Sequence, residues 1–431
     1  MTMRTSRHLS TEAAWPRRWM RWTHLVAVAL LAGCAPPPPA MTLDTMAEGY
    51  VRVALQLAQH DPTLVEVWRG PESWRPGPRV PVAPLLQKIT SLRQELAQFP
   101  PTDATARRYY LAAQLKALDL AARRLLGESS TFAAEALAGF DYVVPALNER
   151  DAAMSREALA RELPGTLPLD ARYAAFKQQL RVPAAKAESL MRAALAACRT
   201  ATKERFGLPA DESTELVFMD DSPWDGAALY LGGHRTRIGV NRHAAMDVSR
   251  ALHLACHEGY PGHHWQFMLI DEELVQRRGW QEYNLAPMFG HHLFISEGAA
   301  EVGADLAFPD EARVALYREV LFPLAGLPIG DAAKLVRVEG LIASLEPVAI
   351  NIIGDYLDGR TRHDAAADRL RQEALTREPD ALLAFAERYR ARVLAYPGGR
   401  TVVRQAIGGA GAMALQQLFA DRPFLLRASR R

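Results

Sequence analysis

The sequence predicts a mainly α-helical protein of α+β type with one small antiparallel sheet, and three observations carry that expectation. Apolar residues recur at three- and four-residue steps through most of the chain after residue 42, the period of a helix face. The period changes only between Glu215 and Asn241, where short runs of β-branched and aromatic residues surround a Gly-Gly pair, the pattern of strands and a tight turn. Length is the third: the chain has 431 residues, and the roughly 400 that follow its N-terminal leader can bury a large core as one big helical fold or two lobes.

The first 34 residues read as a processing signal. Arg4, Arg7, Arg17, Arg18 and Arg21 form a basic segment, and Leu25 to Leu31 is an apolar stretch too short to span a bilayer in a mature protein. It ends in Leu31-Ala32-Gly33-Cys34, which resembles a bacterial lipobox. That resemblance implies that Cys34 becomes the lipid-bearing first residue and anchors an exported protein to the cell envelope, periplasmic or outer-membrane face, since two or more acyl chains hold far better than one. Residues 35–42, with Pro36 to Pro39, form a stiff extended spacer.

Residues 43–210 are expected to form a helical N-terminal lobe. Pro84 to Phe99, Asp103 to Leu126 and Ala184 to Phe206 carry the helical period, with Thr102-Asp103 capping the second and Gly127 ending it. Residues 211–431 form the second lobe. Leu216 to Met219, Ala228 to Leu231 and Arg237 to Asn241 read as three strands, the last two joined through Gly232-Gly233. Helices follow at about Ala245 to Glu258, His263 to Ile270, Pro287 to Leu306, and through Gly340 to Leu357 with a bend at Pro347.

The formal charge of +2 has both signs interspersed, so no nucleic-acid surface is implied. Arginine greatly outnumbers lysine without forming a patch. Beyond Cys34 there are two cysteines, Cys198 and Cys256. An exported protein can pair them, but they lack framework spacing, and the expectation is two separate thiols with Cys256 packed beneath its helix.

The most informative run is His257-Glu258-Gly259-Tyr260-Pro261-Gly262-His263-His264. In an H-E-x-x-H motif two histidines four apart share a helix face and bind zinc while the glutamate activates water. Here the fifth position is Pro261, whose ring clashes with the carbonyl four residues earlier. On an unbroken helix His263 would point about 120° from His257, and His264 would lie roughly 10 Å along the axis. The Pro-Gly break lets His263 or His264 fold back beside His257. A later helix carries Glu297, Glu301 and Asp305 at four-residue steps, on one face, among small residues that permit close approach.

His257-Glu258-x-x-Pro261-Gly262-His263-His264-x-Gln266, with Glu297-Gly298-Ala299-Ala300-Glu301, resembles the signature of the domain of unknown function 885 family. That family is similar to gluzincin metallopeptidases, so the resemblance implies a large helical metallopeptidase-like fold with its small sheet beside a zinc cleft. Carried over, His257, His263 and Glu297 are the zinc ligands and Glu258 is the general base, acting on a zinc-bound water to hydrolyse peptide bonds. The sequence departs from the family pattern at Ala299, where a tryptophan is usual. It departs again at Tyr396-Pro397-Gly398-Gly399 through Arg404, which lacks a late tyrosine.

Such chemistry needs a donor for the oxyanion. Tyr396 and His264 are the candidates, with Arg400 and Arg404, which could instead grip a substrate carboxylate as a carboxypeptidase does. His253 pairs with His257 at four-residue spacing, but Glu258 would then lie about 140° around from it, so His253 reads as supporting or core. Glu301 is placed to orient a ligand histidine through its free nitrogen, or faces solvent. His291 and His292 read as lining or structural, and Asn241 as a turn residue. The same ligands serve a zinc hydrolase of non-peptide amides. A catalytically inactive envelope lipoprotein that binds without turnover is the reading from another class.

Overall fold

The computed structural model describes residues 42–100, 105–220, 224–408 and 411–420. The expected signal and Cys34 anchor, the proline run and the expected Thr102-Asp103 cap lie outside the described residues. From Leu43 onward the chain forms one compact unit, so residues 43–210 and 211–431 share a continuous apolar core. Among the described residues no helix is long and apolar enough to cross a membrane.

The architecture is mainly helical with two small sheets. Helices α1 (Leu43–Ala58), α2 (Val82–Gln98) and α3 (Thr105–Leu125) pack on one another. They bury Tyr50, Ile89, Tyr110 and Leu118, as their periodicity requires. Buried Arg107 of α3 ties this layer down by donating to Glu282 Oε1 at 2.6 Å and Oε2 at 3.0 Å, and to Asp44 Oδ1 at 2.6 Å. Helix α4 (Ala184–Phe206) runs over its expected span.

The strands are β1 (Val65–Trp68), β2 (Ser213–Met219), β3 (Gly226–Gly232), β4 (Arg235–Asn241) and β5 (Leu285–Pro287). The three predicted strands form one sheet, but it is mixed and not antiparallel. β3 and β4 form the Gly-Gly hairpin, with Ala228 opposite Ile238, while β2 lies parallel to β4 on its other side, with Leu216 opposite Ile238. The order β2-β4-β3 places the hairpin's second strand in the centre and leaves β3 at an edge among the described residues, where Tyr230 O accepts from Arg69 Nη1 at 3.5 Å. β1 and β5 form a second, antiparallel pair with Val67 opposite Ala286.

Three expectations need correction. Cys198 and Cys256 are joined in a disulfide, their Cα atoms 5.4 Å apart, because α4 packs directly against the segment that follows Leu254. The stretch through Gly340 to Leu357 is two helices, Ala332–Ala343 and Glu346–Leu357. Pro347 sits in the first turn of the second, where its missing N–H is no loss. The helix carrying His257 starts at Val248, not Ala245, because the Asp247 carboxylate caps it by accepting from Arg250 N at 3.0 Å.

Candidate metal centre

Helix α5 (Val248–Leu254) passes into a π-helical turn, Ala255–Gly259, that carries His257 and Glu258. Such wide turns recur at functional sites. The chain reverses through the cis Tyr260-Pro261 peptide and Gly262, and α6 (His263–Ile270) begins at once. Only glycine fits position 262, since a Cβ there would lie 1.8 Å from the His257 carbonyl oxygen. The break therefore folds α6 back onto the end of α5 and brings the His257 and His263 rings edge to face, centroids 4.8 Å apart.

Helix α7 (Gly290–Ala307) is buried along nearly its whole length and supplies the carboxylates. It packs backbone to backbone on α8 (Pro397–Ile407) at Gly298, where a Cβ would stand 2.1 Å from the Gly399 carbonyl carbon. Its small residues therefore serve close approach, as the sequence suggests, with α8 as the partner. Glu297 Oε2 lies 3.2 Å from His257 Nε2 and 3.5 Å from His263 Nε2. One turn on, Glu301 Oε1 lies 3.2 Å from His257 Nδ1 and 3.5 Å from His253 Nε2.

Two of the three spacings in this set match those around a zinc ion. Ligands about 2.1 Å from one tetrahedral centre stand roughly 3.4 Å apart, and the Nε2 atoms of His257 and His263 meet Glu297 Oε2 at that spacing. All three ligand atoms lie within 4.8 Å of one another. His253, His257 and Glu301 meet the same criterion, but there Glu301 takes the other nitrogen of His257, the position of a group that orients a ligand.

The electrostatics point the same way. Burial alone would neutralise Glu297, yet the charge of His263 and hydrogen bonds from His257 and His263 hold it well below the usual carboxylate range. Glu301 is held down to about 2, the charge of His253, the hydrogen bond from His257 and Arg400 outweighing burial. Burial opposes charge on His257, but Glu297 and Glu301 raise it well above its ordinary value. Burial pushes His253 down to about 4 in spite of Glu301. Two carboxylates around one imidazole thus create a field that favours positive charge between them.

A cavity of about 440 Å³ opens onto this cluster. Glu258, His263, Glu297, Tyr396, Gly226 to Ala228 of β3, and Ala286 and Pro287 of β5 all line it. Glu258 sits against this edge strand: a Cβ on Gly226 would be 3.3 Å from its Oε1. The Tyr396 ring lies 6.3 Å from that of His257, inclined by 27°. Burial, and then the charge of Glu297, push the Tyr396 hydroxyl far above its ordinary value, so it stays a donor.

Other candidates are placed elsewhere. His264 is fully buried, with Nδ1 2.7 Å from Thr236 Oγ1 and Nε2 3.2 Å from Glu212 Oε2. It is committed to the fold and does not reach the cavity, which corrects its expected role as a donor to substrate. Arg400 pairs with Glu346 and lies 3.8 Å from Glu301, while Arg404 pairs with Asp305. Both guanidiniums are thus already matched by protein carboxylates, Arg400 on the far side of Glu301. Asn241 accepts from His243 N at 2.9 Å as a turn residue. His291 Nδ1 meets Phe140 O at 3.3 Å, and His292, which lines the cavity, meets the Tyr110 hydroxyl at 3.1 Å.

Sequence reasoning missed Glu66 of β1 and Arg392, both in the cavity wall. Neither carries a local signal: one lies on a four-residue strand, the other in an arginine-rich turn.

No protein-family model matches the chain, and no curated protein matches it. It is similar to a crystal structure named "putative lipoprotein from Colwellia psychrerythraea", at 15% identity and a TM-score of 0.44. The match covers 78% of this chain and 63% of that one.

Proposed function

We propose that the protein is a zinc-dependent peptidase, anchored to the cell envelope through lipid on Cys34. The observation that carries the reading is the convergence of His257 Nε2, His263 Nε2 and Glu297 Oε2 at zinc-ligand spacing in a cleft that also holds Glu258. The resemblance to the domain of unknown function 885 family supports it, and a disulfide beside His257 suits an oxidising compartment.

Held by His257, His263 and Glu297, zinc would acidify a water and polarise a carbonyl. Glu258 takes the proton of the attacking water and passes it to the leaving nitrogen. Tyr396, kept protonated, donates to the oxyanion. Glu301, whose Oε1 stands 3.2 Å from His257 Nδ1, is placed to orient that ring. The edge of β3 pairs with the main chain of an extended peptide, laying it across Glu258.

The test is Glu258→Gln. Peptide hydrolysis should fall by at least about 10²-fold while zinc content is unchanged. Hydrolysis at the parent rate in that variant would remove Glu258 as base, and failure of the zinc-loaded parent to cleave any peptide would remove the peptidase reading.

A further inference from the structure

Two arginines are buried among the described residues, and they differ in one respect. Arg107 is held by the carboxylates of Glu282 and Asp44. Arg392 has no carboxylate within ion-pair distance among the described residues. Its polar contact is Nη2 to the Met288 sulfur at 4.0 Å, and its Nε is buried without a partner. The guanidinium lies over the rings of Trp224 and Tyr389, 5.6 and 5.1 Å from their centroids. Aromatic faces hold a cation in place without satisfying its hydrogen-bond donors.

A buried guanidinium with no carboxylate at ion-pair distance is costly to keep; Glu66 shares its cavity wall without pairing with it, and the site is one where an anion can arrive. Arg392 lines the same cavity as His263, Glu258 and Glu297. It lies four residues before Tyr396, whose ring stands against His257. The arginines that looked able to hold a substrate carboxylate, Arg400 and Arg404, are already paired with Glu346 and Asp305. The planar fork of Arg392 is the free one, and a fork of that shape takes a carboxylate through two parallel hydrogen bonds. A cavity of about 440 Å³ holds only a short ligand.

We propose that Arg392 receives the terminal carboxylate of the substrate, so that the protein acts as a carboxypeptidase on short peptides with a free C-terminus. The inference rests on the peptidase reading above and names its substrate class.

The experiment uses the full-length protein in detergent, loaded with zinc, and compares one short peptide as its free acid and as its C-terminal amide. The parent should cleave the acid faster by on the order of 100-fold, a preference read before any variant is made. In Arg392→Gln, and in Arg392→Met, whose unbranched chain can fill the slot between Trp224 and Tyr389, the acid-to-amide ratio should fall to near one. Melting curves check that both variants fold. Equal cleavage of acid and amide by the parent, or a preference that survives in both variants, overturns the proposal and leaves the peptidase reading standing. If neither peptide is cleaved the peptidase reading fails, and calorimetry of the two peptides decides the role of Arg392. Acid-selective binding that disappears in Arg392→Gln supports it as the anchor of a binding cleft, and equal or absent binding overturns it.

Discussion

His263 and His264 are neighbours in the chain and opposites in their surroundings. His264 has a partner on each nitrogen, Thr236 and Glu212, and Glu212 is shared with Arg199 and with the Tyr260 hydroxyl. The two ring nitrogens and the Tyr260 hydroxyl all meet protein partners, so that cluster is closed. His263 turns the other way, its Nε2 beside the carboxylate already approached by His257 and its Nδ1 buried without a partner. That cluster opens to a cavity. The same residue types, histidine and glutamate, thus build a clamp on one side of α6 and the proposed ligand site on the other. What separates them is whether protein donors complete the set.

The largest effect that can break this contrast is expected at Gly262, which sets both histidines at once. With a Cβ 1.8 Å from the His257 carbonyl oxygen, Gly262→Ala should cost at least about 4 kcal/mol. It should also abolish zinc binding, as read by denaturant unfolding and metal analysis.

A smaller loss, about 1 to 3 kcal/mol, is expected for His264→Ala, which leaves Glu212 short of a donor but should retain zinc.

Glu301→Gln sharpens the open side. Zinc affinity should weaken by about 10- to 100-fold with little change in melting temperature, measured by competition with a chelator.

The mildest test is acid. Burial opposes ionisation of Glu212, but hydrogen bonds from His264, Tyr260 and Arg199 win and lower its pKa from 4.5 to about 2. The ionised group therefore stabilises the fold above pH 4.5, and that contribution is lost as pH falls toward 2. Glu212→Gln should lack this acid-sensitive part, seen as a flatter dependence of stability on pH over that window.

Much of the helical fold was legible because amphipathic period and proline or glycine punctuation are local signals. Ala184–Phe206 and His263–Ile270 run over their expected spans. The small sheet was legible as strands but not as a topology, since nothing within β2 states that it joins β4 in parallel from the far side. β1 and β5 were not legible at all: four and three residues long, they pair across more than two hundred residues of chain. In the site, the Pro-Gly break told that a later histidine returns to His257, because the argument needs only helix geometry. The neighbour on which α7 packs, and the disulfide between Cys198 and Cys256, depend on how distant helices meet, which one sequence does not encode locally. Arg392 is the clearest case. What sets it apart is that no carboxylate stands at ion-pair distance among the described residues, and an absence in space leaves no mark in the chain.

The central claim is that the break in the helix builds a metal centre from His257, His263 and Glu297. Plasma mass spectrometry of the protein purified without chelators tests it most directly, run beside His263→Ala and His264→Ala. The account predicts about one zinc per chain in the parent and in His264→Ala, and little in His263→Ala. No zinc in the parent after the metal is added back, or equal zinc in all three, would contradict it.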